Sequence, residues 1–323
     1  MTASAEAGWS GFSPSSWEDL DLVRARLDAG ADPNSGVYRF GAFGGRPLHL
    51  AAEWGSPEVV AELTGRVDDV DAEFDDRTAL WTAVFAGRPD VARILVAAGA
   101  DPWRPMMAGW SPGRLSLAGP TPDLFPLPPG EPGLSAAEAA AVAEARRLIA
   151  ALDGFGDEED GFSVACVAGV TAAEAVRRLG AEPADDADIE AIMDDPWSDL
   201  DGNLRIVGIT DVPGGCVIIQ PWGGAACDSE PITRVSAGTV CHSMCANPKS
   251  GNQGAVVRDG VVEDWDTHPG GGDAGGHMTA DEILAEYLYQ GRAVAYCCAA
   301  AGLRLPDARP VAGPPDSWVR LTA

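Results

Sequence analysis

Two stretches of the chain place apolar and polar residues in the same order. Residues 47–52 read Pro-Leu-His-Leu-Ala-Ala and are followed by Gly55 and a second apolar stretch at residues 58–63. Residues 78–83 start a similar copy, which is followed by a glycine and by residues 90–95. In each copy the apolar residues return every three or four positions, which is the spacing of one face of an α-helix. Each copy therefore predicts two helices joined by a turn.

Weaker copies flank this pair on both sides. Leu20, Val23 and Leu27 have helical spacing and predict the second helix of an earlier, incomplete repeat. On the other side, Pro112 lies 33 residues after Ala79 and starts a truncated fourth repeat. Terminal units of stacked repeats are commonly atypical, because one of their faces meets water.

The repeat period is close to 33 residues, and residues 47–52 nearly match a T-P-L-H-x-A core. On these features roughly the first 120 residues resemble the ankyrin-repeat family. The resemblance implies an α-solenoid in which His49 is structural and hydrogen-bonds the backbone of a neighbouring loop. It also implies that the concave face and the finger loops bind another protein, and it names no reaction.

Eight residues are candidates for partner contact. Three aromatic side chains lie in a glycine-rich insertion at residues 35–45, and insertions in repeat proteins commonly lie on the binding face. The others occupy concave and finger positions, which contact partners in the resembled family. The set is Tyr38, Phe40, Phe43, Glu53, Trp54, Phe74, Trp81 and Phe85. Two alternatives stay open: the insertion rings cap the first repeat, and Trp81 and Phe85 pack between repeats.

A proline-rich connection and a helix follow the repeats. Residues 104–134 contain eight prolines, which predicts an extended, semi-rigid segment. Ser135 and Glu138 form a capping box that opens an alanine-rich helix, which we interpret as a lid on the last repeat. The expected organisation is a flexible N-terminus (1–16), an ankyrin-repeat domain with this connection and capping helix (17–152), and a second domain (161–323).

The second half of the chain has a different pattern of apolar and polar residues. Short β-rich runs alternate with turn sequences, and Asp259-Gly260 is the preferred dipeptide of a type I′ hairpin. Capped helices at residues 171–180 and from residue 279 onward complete an α+β domain with a mainly antiparallel sheet. The order of strand, helix and hairpins, with Trp265 after the Asp-Gly turn, resembles an actinobacterial domain of uncharacterised function. That resemblance implies a fold relation and no activity.

One cluster suggests catalysis or metal binding. Cys241, His242 and Cys245 are residue types found in nucleophile pairs and zinc sites. A strand would point Cys241 and His242 to opposite faces and would separate the two cysteines by about 13 Å. The spacing therefore disfavours a zinc site, although a loop could still recruit His268 and His277 as ligands.

Two further segments could bind small ions. The glycine-rich residues 269–276 lie before a helix and could cradle a phosphate, but they lack a Gly-Lys-Ser/Thr motif and predict a flexible surface loop. The acidic residues 185–201 lack the distal glutamate of a calcium loop and predict a solvated turn. We therefore assign no catalytic residue, no metal and no cofactor.

Charge and composition narrow the classes of function. The chain has 49 acidic and 22 basic residues, and its net charge of −27 argues against nucleic acid or an anionic membrane as a partner. No apolar run reaches the roughly 18 residues of a membrane helix, and residues 1–16 lack the pattern of a signal peptide. A cytoplasmic location is therefore expected, with the seven cysteines as buried thiols. The preference for arginine over lysine suggests a bacterial source.

Two hypotheses from different classes remain. The first is an adaptor or regulatory protein whose ankyrin repeats bind a protein partner. The second is an enzyme or toxin-like effector whose C-terminal domain carries an activity around Cys241, His242 or His268, and whose repeats select the target. A pocket that brings together two titratable groups with shifted pKa values would favour the second hypothesis. Ankyrin repeats serve many functions, so the fold alone does not decide between them.

Overall fold

The computed structural model describes residues 8–36, 44–155, 161–197, 200–247, 249, 251–272 and 274–322, except the side chains of residues 200, 201 and 266. The chain divides into two compact units. The repeat unit consists of Met1–Ala139 and Ala274–Tyr287, and the sheet unit consists of Ala140–Asp273 and Leu288–Ala323. None of the helices in these described ranges is long and apolar enough to cross a membrane.

The repeat unit is an α-solenoid, as the sequence predicted. Prolines start the second, third and fifth helices, at a position where the missing N–H costs nothing. Gly87 turns the chain between the fourth and fifth helices with a φ of +65°, which a residue with a side chain rarely adopts. The helices are α1 (Leu20–Asp28), α2 (Pro47–Trp54), α3 (Pro57–Thr64), α4 (Ala79–Phe85), α5 (Pro89–Ala97) and α6 (Pro112–Ser116).

The chain before α1 is ordered where the structure describes it. A 3₁₀ helix, Pro14–Glu18, stands in place of the first helix of the first repeat. Trp9, Phe12 and Trp17 are buried, with ring centroids 4.8–5.2 Å apart. The prediction of a flexible N-terminus at residues 1–16 is therefore wrong from Gly8 onward, because three aromatic rings pack into a buried cluster there. Residues 1–7 lie outside the described part.

His49 has the structural role that the family resemblance implied. Its Nε2 lies 2.9 Å from the carbonyl oxygen of Arg77, in the loop before α4. The ring is 7% exposed, and this burial lowers its pKa to about 4. The neutral imidazole is therefore the form that the fold stabilises, and it fixes one repeat against the next loop.

The alanine-rich helix α7 (Ala136–Ala151) contains the boundary between the two units. In its first turn, the Glu138 carboxylate accepts hydrogen bonds from Arg114 at 2.7 and 2.9 Å, within the repeat unit. Further along, Ala145 and Leu148 are buried in the core of the sheet unit. The interpretation of this helix as a lid on the last repeat is therefore wrong for most of its length, because its apolar stripe packs in the other core.

The sheet unit contains one eight-stranded sheet in which every described strand pair is antiparallel. This confirms the predicted α+β class. The strands are β1 (Ser163–Ala168), β2 (Glu182–Pro183), β3 (Ile206–Val212), β4 (Gly215–Gln220), β5 (Val240–Asn247), β6 (Gly251–Arg258), β7 (Val261–Thr267) and β8 (Ser317–Arg320). Their order across the sheet is β2-β8-β3-β4-β1-β5-β6-β7.

Further helices follow α7 in the described part of the chain. They are α8 (Ala172–Leu179), α9 (Asp186–Asp194), α10 (Leu200–Asn203), α11 (Ser229–Val235), α12 (Ala280–Leu288), α13 (Ala293–Ala300) and α14 (Arg309–Ala312). The acidic residues 185–201, for which we predicted a solvated turn, thus contain all of α9. In that helix the carboxylate of Asp188 pairs with Arg320 at 2.6 Å.

Helices cover both faces of the sheet. Successive residues of β1 alternate between two cores: Val164 and Cys166 face one, and Ala165 and Val167 face the other. The first core is completed by α7 and α13, and the second by α8 and α11. A strand buried on both sides explains why β1 reads as a continuous apolar run in the sequence.

Local signals predicted the hairpins, whereas a distant pairing escaped prediction. Asp259 and Gly260 both have positive φ, at +50° and +74°, as a type I′ turn between β6 and β7 requires. By contrast, β8 has only four residues and lies between β2 and β3. A strand that short carries too little alternation to be recognised from the sequence alone.

Candidate functional site

The predicted partner-contact residues fall into three groups in the structure. Glu53, Trp54 and Phe74 are partly exposed. Trp81 and Phe85 are 1% and 4% exposed, which removes them from the surface. The remaining residues, Tyr38, Phe40 and Phe43, lie outside the described residues.

The finger that carries Phe74 is a short hairpin. Phe74 and Arg77 exchange two backbone hydrogen bonds, at 2.9 and 3.1 Å. Asp75 and Asp76 form its tip in left-handed conformations, with φ of +55° and +59°. The ring of His49 meets the Phe74 ring edge-on at 6.2 Å. The finger therefore presents a partly exposed aromatic ring beside exposed carboxylates on a backbone of fixed shape.

Trp81 and Phe85 pack inside the repeat unit and do not offer free rings to a partner. They are four residues apart in α4, so they lie on the same face and stack with centroids 6.3 Å apart. Phe85 also meets Tyr287, near the end of α12, at 5.7 Å. The prediction that both rings contact a partner is therefore wrong. They pack inside the repeat unit, as the alternative interpretation stated.

The ring that covers Phe85 belongs to a segment far along the chain. The indole N–H of Trp110 donates to the carbonyl oxygen of Ala280 at 2.9 Å, and Trp110 is completely buried. The Tyr287 hydroxyl lies so close to Gly119 that a Cβ there would collide with it. Burial raises the pKa of Tyr287 to about 12. Residues 274–287, which we call the docked segment, thus complete the repeat unit.

The docked segment also bears on the possible phosphate cradle. At the start of α12, the Glu282 carboxylate accepts hydrogen bonds from the N–H and the hydroxyl of Thr279, at 2.7 and 2.8 Å. These bonds lower the pKa of Glu282. The helix N-terminus therefore already holds an anionic group of its own, which disfavours a phosphate at this position.

The cysteine and histidine cluster of β5 does not assemble. Cys241 is completely buried in the core shared with α8 and α11, whereas His242 is partly exposed on the opposite face. Burial lowers the pKa of His242 to about 4. His268 lies on the surface, with Nδ1 3.0 Å from the carbonyl oxygen of Asn252. Across the residues that the structure describes, no three His, Cys, Asp or Glu side chains are grouped to hold a metal ion.

A polar pocket of about 220 Å³ opens in the sheet unit. Arg205, Arg234, Asp228 and Glu230 line it. Burial raises the pKa of Asp228, and the Arg234 Nε donates to the carbonyl oxygen of Arg178 at 3.2 Å. The described lining includes no histidine or cysteine. The pocket can attract a charged group, but it does not pair a nucleophile with a base as the enzyme hypothesis requires.

Comparison with known families assigns both regions of the chain. Residues 15–106 match the ankyrin-repeat family in three copies. The N-terminal region therefore consists of ankyrin repeats, as the sequence pattern predicted. Residues 149–287 match a family of unknown function, DUF6461, which confirms the resemblance to a domain of uncharacterised function. No curated protein matches the chain.

The limits of these matches differ from those of the compact units. The ankyrin match ends before α6, although α6 packs on α4 in the repeat unit. The second match runs to residue 287 and so includes the docked segment, while α13, α14 and β8 of the sheet unit lie beyond it. Nothing in a local sequence pattern indicates that docking, because Trp110 and Ala280 are 170 residues apart.

Proposed function

We propose that this chain is a protein-binding adaptor or regulatory protein whose ankyrin repeats bind another protein through the concave face and the fingers. Ankyrin repeats have a protein-interaction role in general, and three copies are present. The observation that carries the proposal is the finger hairpin. It holds the partly exposed Phe74 ring beside the exposed carboxylates of Asp75 and Asp76, and aromatic rings are enriched at protein interfaces.

The proposed binding surface consists of Glu53, Trp54 and Phe74 with the tip of the finger hairpin. It combines two partly exposed aromatic rings with the exposed acidic residues Asp75 and Asp76. Aromatic residues dominate binding energy at interfaces, and surrounding charges set the choice of partner. A partner with an apolar anchor inside a basic or neutral surface therefore fits this site better than a nucleic acid.

The insertion aromatics Tyr38, Phe40 and Phe43 extend this proposal on sequence grounds. In this arrangement the repeat unit selects the partner, and the sheet unit is the module that the partner regulates or localises. We place the protein in a bacterial cytoplasm, since its seven cysteines are free thiols, as is usual in a reducing compartment. The charge of −27 disfavours anionic surfaces as partners.

Affinity purification from the native cell tests the proposal. The intact chain is compared with a Trp54→Ala/Phe74→Ala variant, and bound proteins are quantified by mass spectrometry. We expect a partner whose recovery falls at least tenfold with the variant, because two aromatic anchors of about 1 kcal/mol or more each are removed.

Trp265→Ala is the matched control, because Trp265 is 59% exposed in the sheet unit and lies outside the proposed surface. Its partner recovery should equal that of the intact chain. Thermal unfolding followed by circular dichroism checks that all three proteins are folded. Equal recovery with the double variant, in a folded protein, would refute the role of this surface.

A further inference from the structure

Two pairs of cysteines approach each other in the sheet unit, and they differ in access to solvent. Cys166 and Cys298 have sulfur atoms 3.5 Å apart and are completely or almost completely buried. The sulfur atoms of Cys227 and Cys245 both border Gly224, and both residues are partly exposed. Only the second pair combines proximity with a route for a small reagent.

The fold brings Cys227 and Cys245 together through a single serine. Ser163 of β1 pairs with Cys245 of β5 in the strand register. The Ser163 hydroxyl donates to the carbonyl oxygen of Gly223 at 2.6 Å and accepts from the N–H of Ala226 at 3.3 Å. The same side chain thus fixes the turn that carries Cys227 beside the strand that carries Cys245.

Both sulfur atoms border one glycine of that turn. The Cys227 sulfur lies 3.2 Å from the carbonyl oxygen of Gly224. A Cβ on Gly224 would lie 3.9 Å from the Cys245 sulfur. Gly224 therefore lies beside both sulfur atoms.

The environment gives the two thiols different reactivity. Interaction with the Cys227 side chain lowers the pKa of Cys245 to about 7, and interaction with the Cys245 side chain, together with burial, raises the pKa of Cys227. At neutral pH about half of Cys245 is therefore thiolate, the reactive form, next to a second thiol that stays protonated. By contrast, the hydrogen bond to Cys298 and complete burial raise the pKa of Cys166 well above its usual value.

We propose that Cys227 and Cys245 form a peroxide-reactive dithiol that closes to a reversible disulfide. The Cys245 thiolate attacks an oxygen of a peroxide ROOH; the O–O bond breaks, and RO⁻ leaves and takes up a proton. The resulting sulfenic acid is then attacked by the sulfur of Cys227, and one water leaves as the S–S bond forms. The peroxide accepts two electrons, and a cellular dithiol returns the pair to the reduced form by thiol–disulfide exchange.

This inference is independent of partner binding, because it concerns residues of the sheet unit alone. Asp228, next to Cys227, lines the polar pocket. A disulfide from Cys245 to Cys227 would tie the turn before Asp228 to β5. The redox state of the pair would thereby act on the wall of that pocket.

Mass spectrometry of the full chain tests the proposal. The reduced protein is treated with equimolar hydrogen peroxide, remaining thiols are alkylated under denaturing conditions, and the protein is digested with trypsin without reductant. We expect one cross-linked species that joins the peptide of residues 206–234 to that of residues 235–249. Two of the seven thiols should be lost, and dithiothreitol should restore them.

Variants identify the sulfur atoms within those peptides. Cys227→Ala and Cys245→Ala should abolish the cross-link. In Cys227→Ala treated with excess hydrogen peroxide, the unresolved Cys245 should progress to sulfinic acid, which consumes a second peroxide. Cys216→Ala is the matched control on the same peptide as Cys227, and it should keep the cross-link. A cross-link between other cysteines, or seven alkylated thiols after peroxide treatment of the wild type, would overturn the proposal without any variant.

Discussion

The repeat unit closes its two ends in different ways. At the N-terminal end Trp17 is covered by Trp9 and Phe12, which are its neighbours in the sequence. At the other end Trp110 is covered by the docked segment, 170 residues away along the chain. A stack of repeats always leaves an apolar face at each end. The comparison teaches that this chain covers one face with local residues and the other with a segment from within the match to the family of unknown function.

Removing either end tryptophan should have the largest effect. Trp17→Ala and Trp110→Ala each delete a completely buried ring, which typically lowers the free energy of unfolding by about 3–5 kcal/mol. Urea unfolding followed by fluorescence measures both losses. A loss below about 1 kcal/mol for Trp110→Ala would contradict the burial of Trp110 under the docked segment. Only the N-terminal end of the stack would then be covered.

His49 lies between the two ends and reports on the burial of the repeat interior. Its pKa is lowered from 6.5 to about 4, so stability is fully present above pH 6.5 and is lost as the pH falls through the interval down to about 4. That shift corresponds to about 3 kcal/mol at or below pH 4. In His49→Gln this contribution is absent, so the stability advantage of the wild type should shrink by that amount between pH 7 and pH 4.

Urea unfolding of both proteins at each pH gives this difference and cancels the titration of the other groups. A direct check is the ring resonance of His49 in NMR spectra, whose midpoint should lie near pH 4. A midpoint near 6.5 would mean that the ring is solvated and that the repeat interior is open.

Gly119→Ala should weaken the packing of the docked segment without affecting the N-terminal end of the stack. A Cβ at Gly119 would collide with the Tyr287 hydroxyl, and such overpacking costs about 1–3 kcal/mol. We expect faster hydrogen exchange in α12 and unchanged exchange in residues 8–18. Gly133→Ala is the matched control, since a Cβ there meets nothing within 4 Å. Identical exchange in the two variants would argue against the contact of Tyr287 with this glycine.

The smallest expected effect is a difference in stability that arises from one hydrogen bond, which Trp110 makes and Trp17 does not. Trp110→Phe removes the donor to the Ala280 carbonyl oxygen, whereas the buried indole N–H of Trp17 has no hydrogen-bond partner among the described residues. Trp110→Phe should therefore be about 1 kcal/mol more destabilising than Trp17→Phe. Equal losses in urea unfolding would show that the bond to Ala280 contributes nothing measurable.

Sequence patterns predicted what local contacts determine. The 33-residue period predicted α2 to α5, and the Asp259-Gly260 turn predicted a hairpin, because each of these elements depends on residues close in sequence. The structural role of His49 followed from the resemblance. The buried aromatic cluster at residues 9–17 was missed because polar and small residues separate its rings, which hides the apolar content from a periodicity test.

Long-range contacts decided what the sequence left open. Trp81 and Phe85 have the spacing of a helix face, and that spacing is the same whether the face meets a partner or Tyr287. The stripe of α7 likewise predicts burial without saying in which core. The approach of Cys227 to Cys245 depends on the register of β1 against β5, which no single stretch of sequence contains.

The docked segment also sets an order of events during synthesis. Residue 287 leaves the ribosome 168 residues after Gly119, which at 5–20 residues per second is roughly 10 to 30 seconds later. Throughout that interval the nascent repeats carry Phe85 and Trp110 without their covering helix. The N-terminal end can bury its aromatic rings as soon as it is made, while the far end exposes apolar surface until most of the chain has been synthesised. Chaperones that recognise exposed apolar surface therefore have their longest opportunity at this end of the protein.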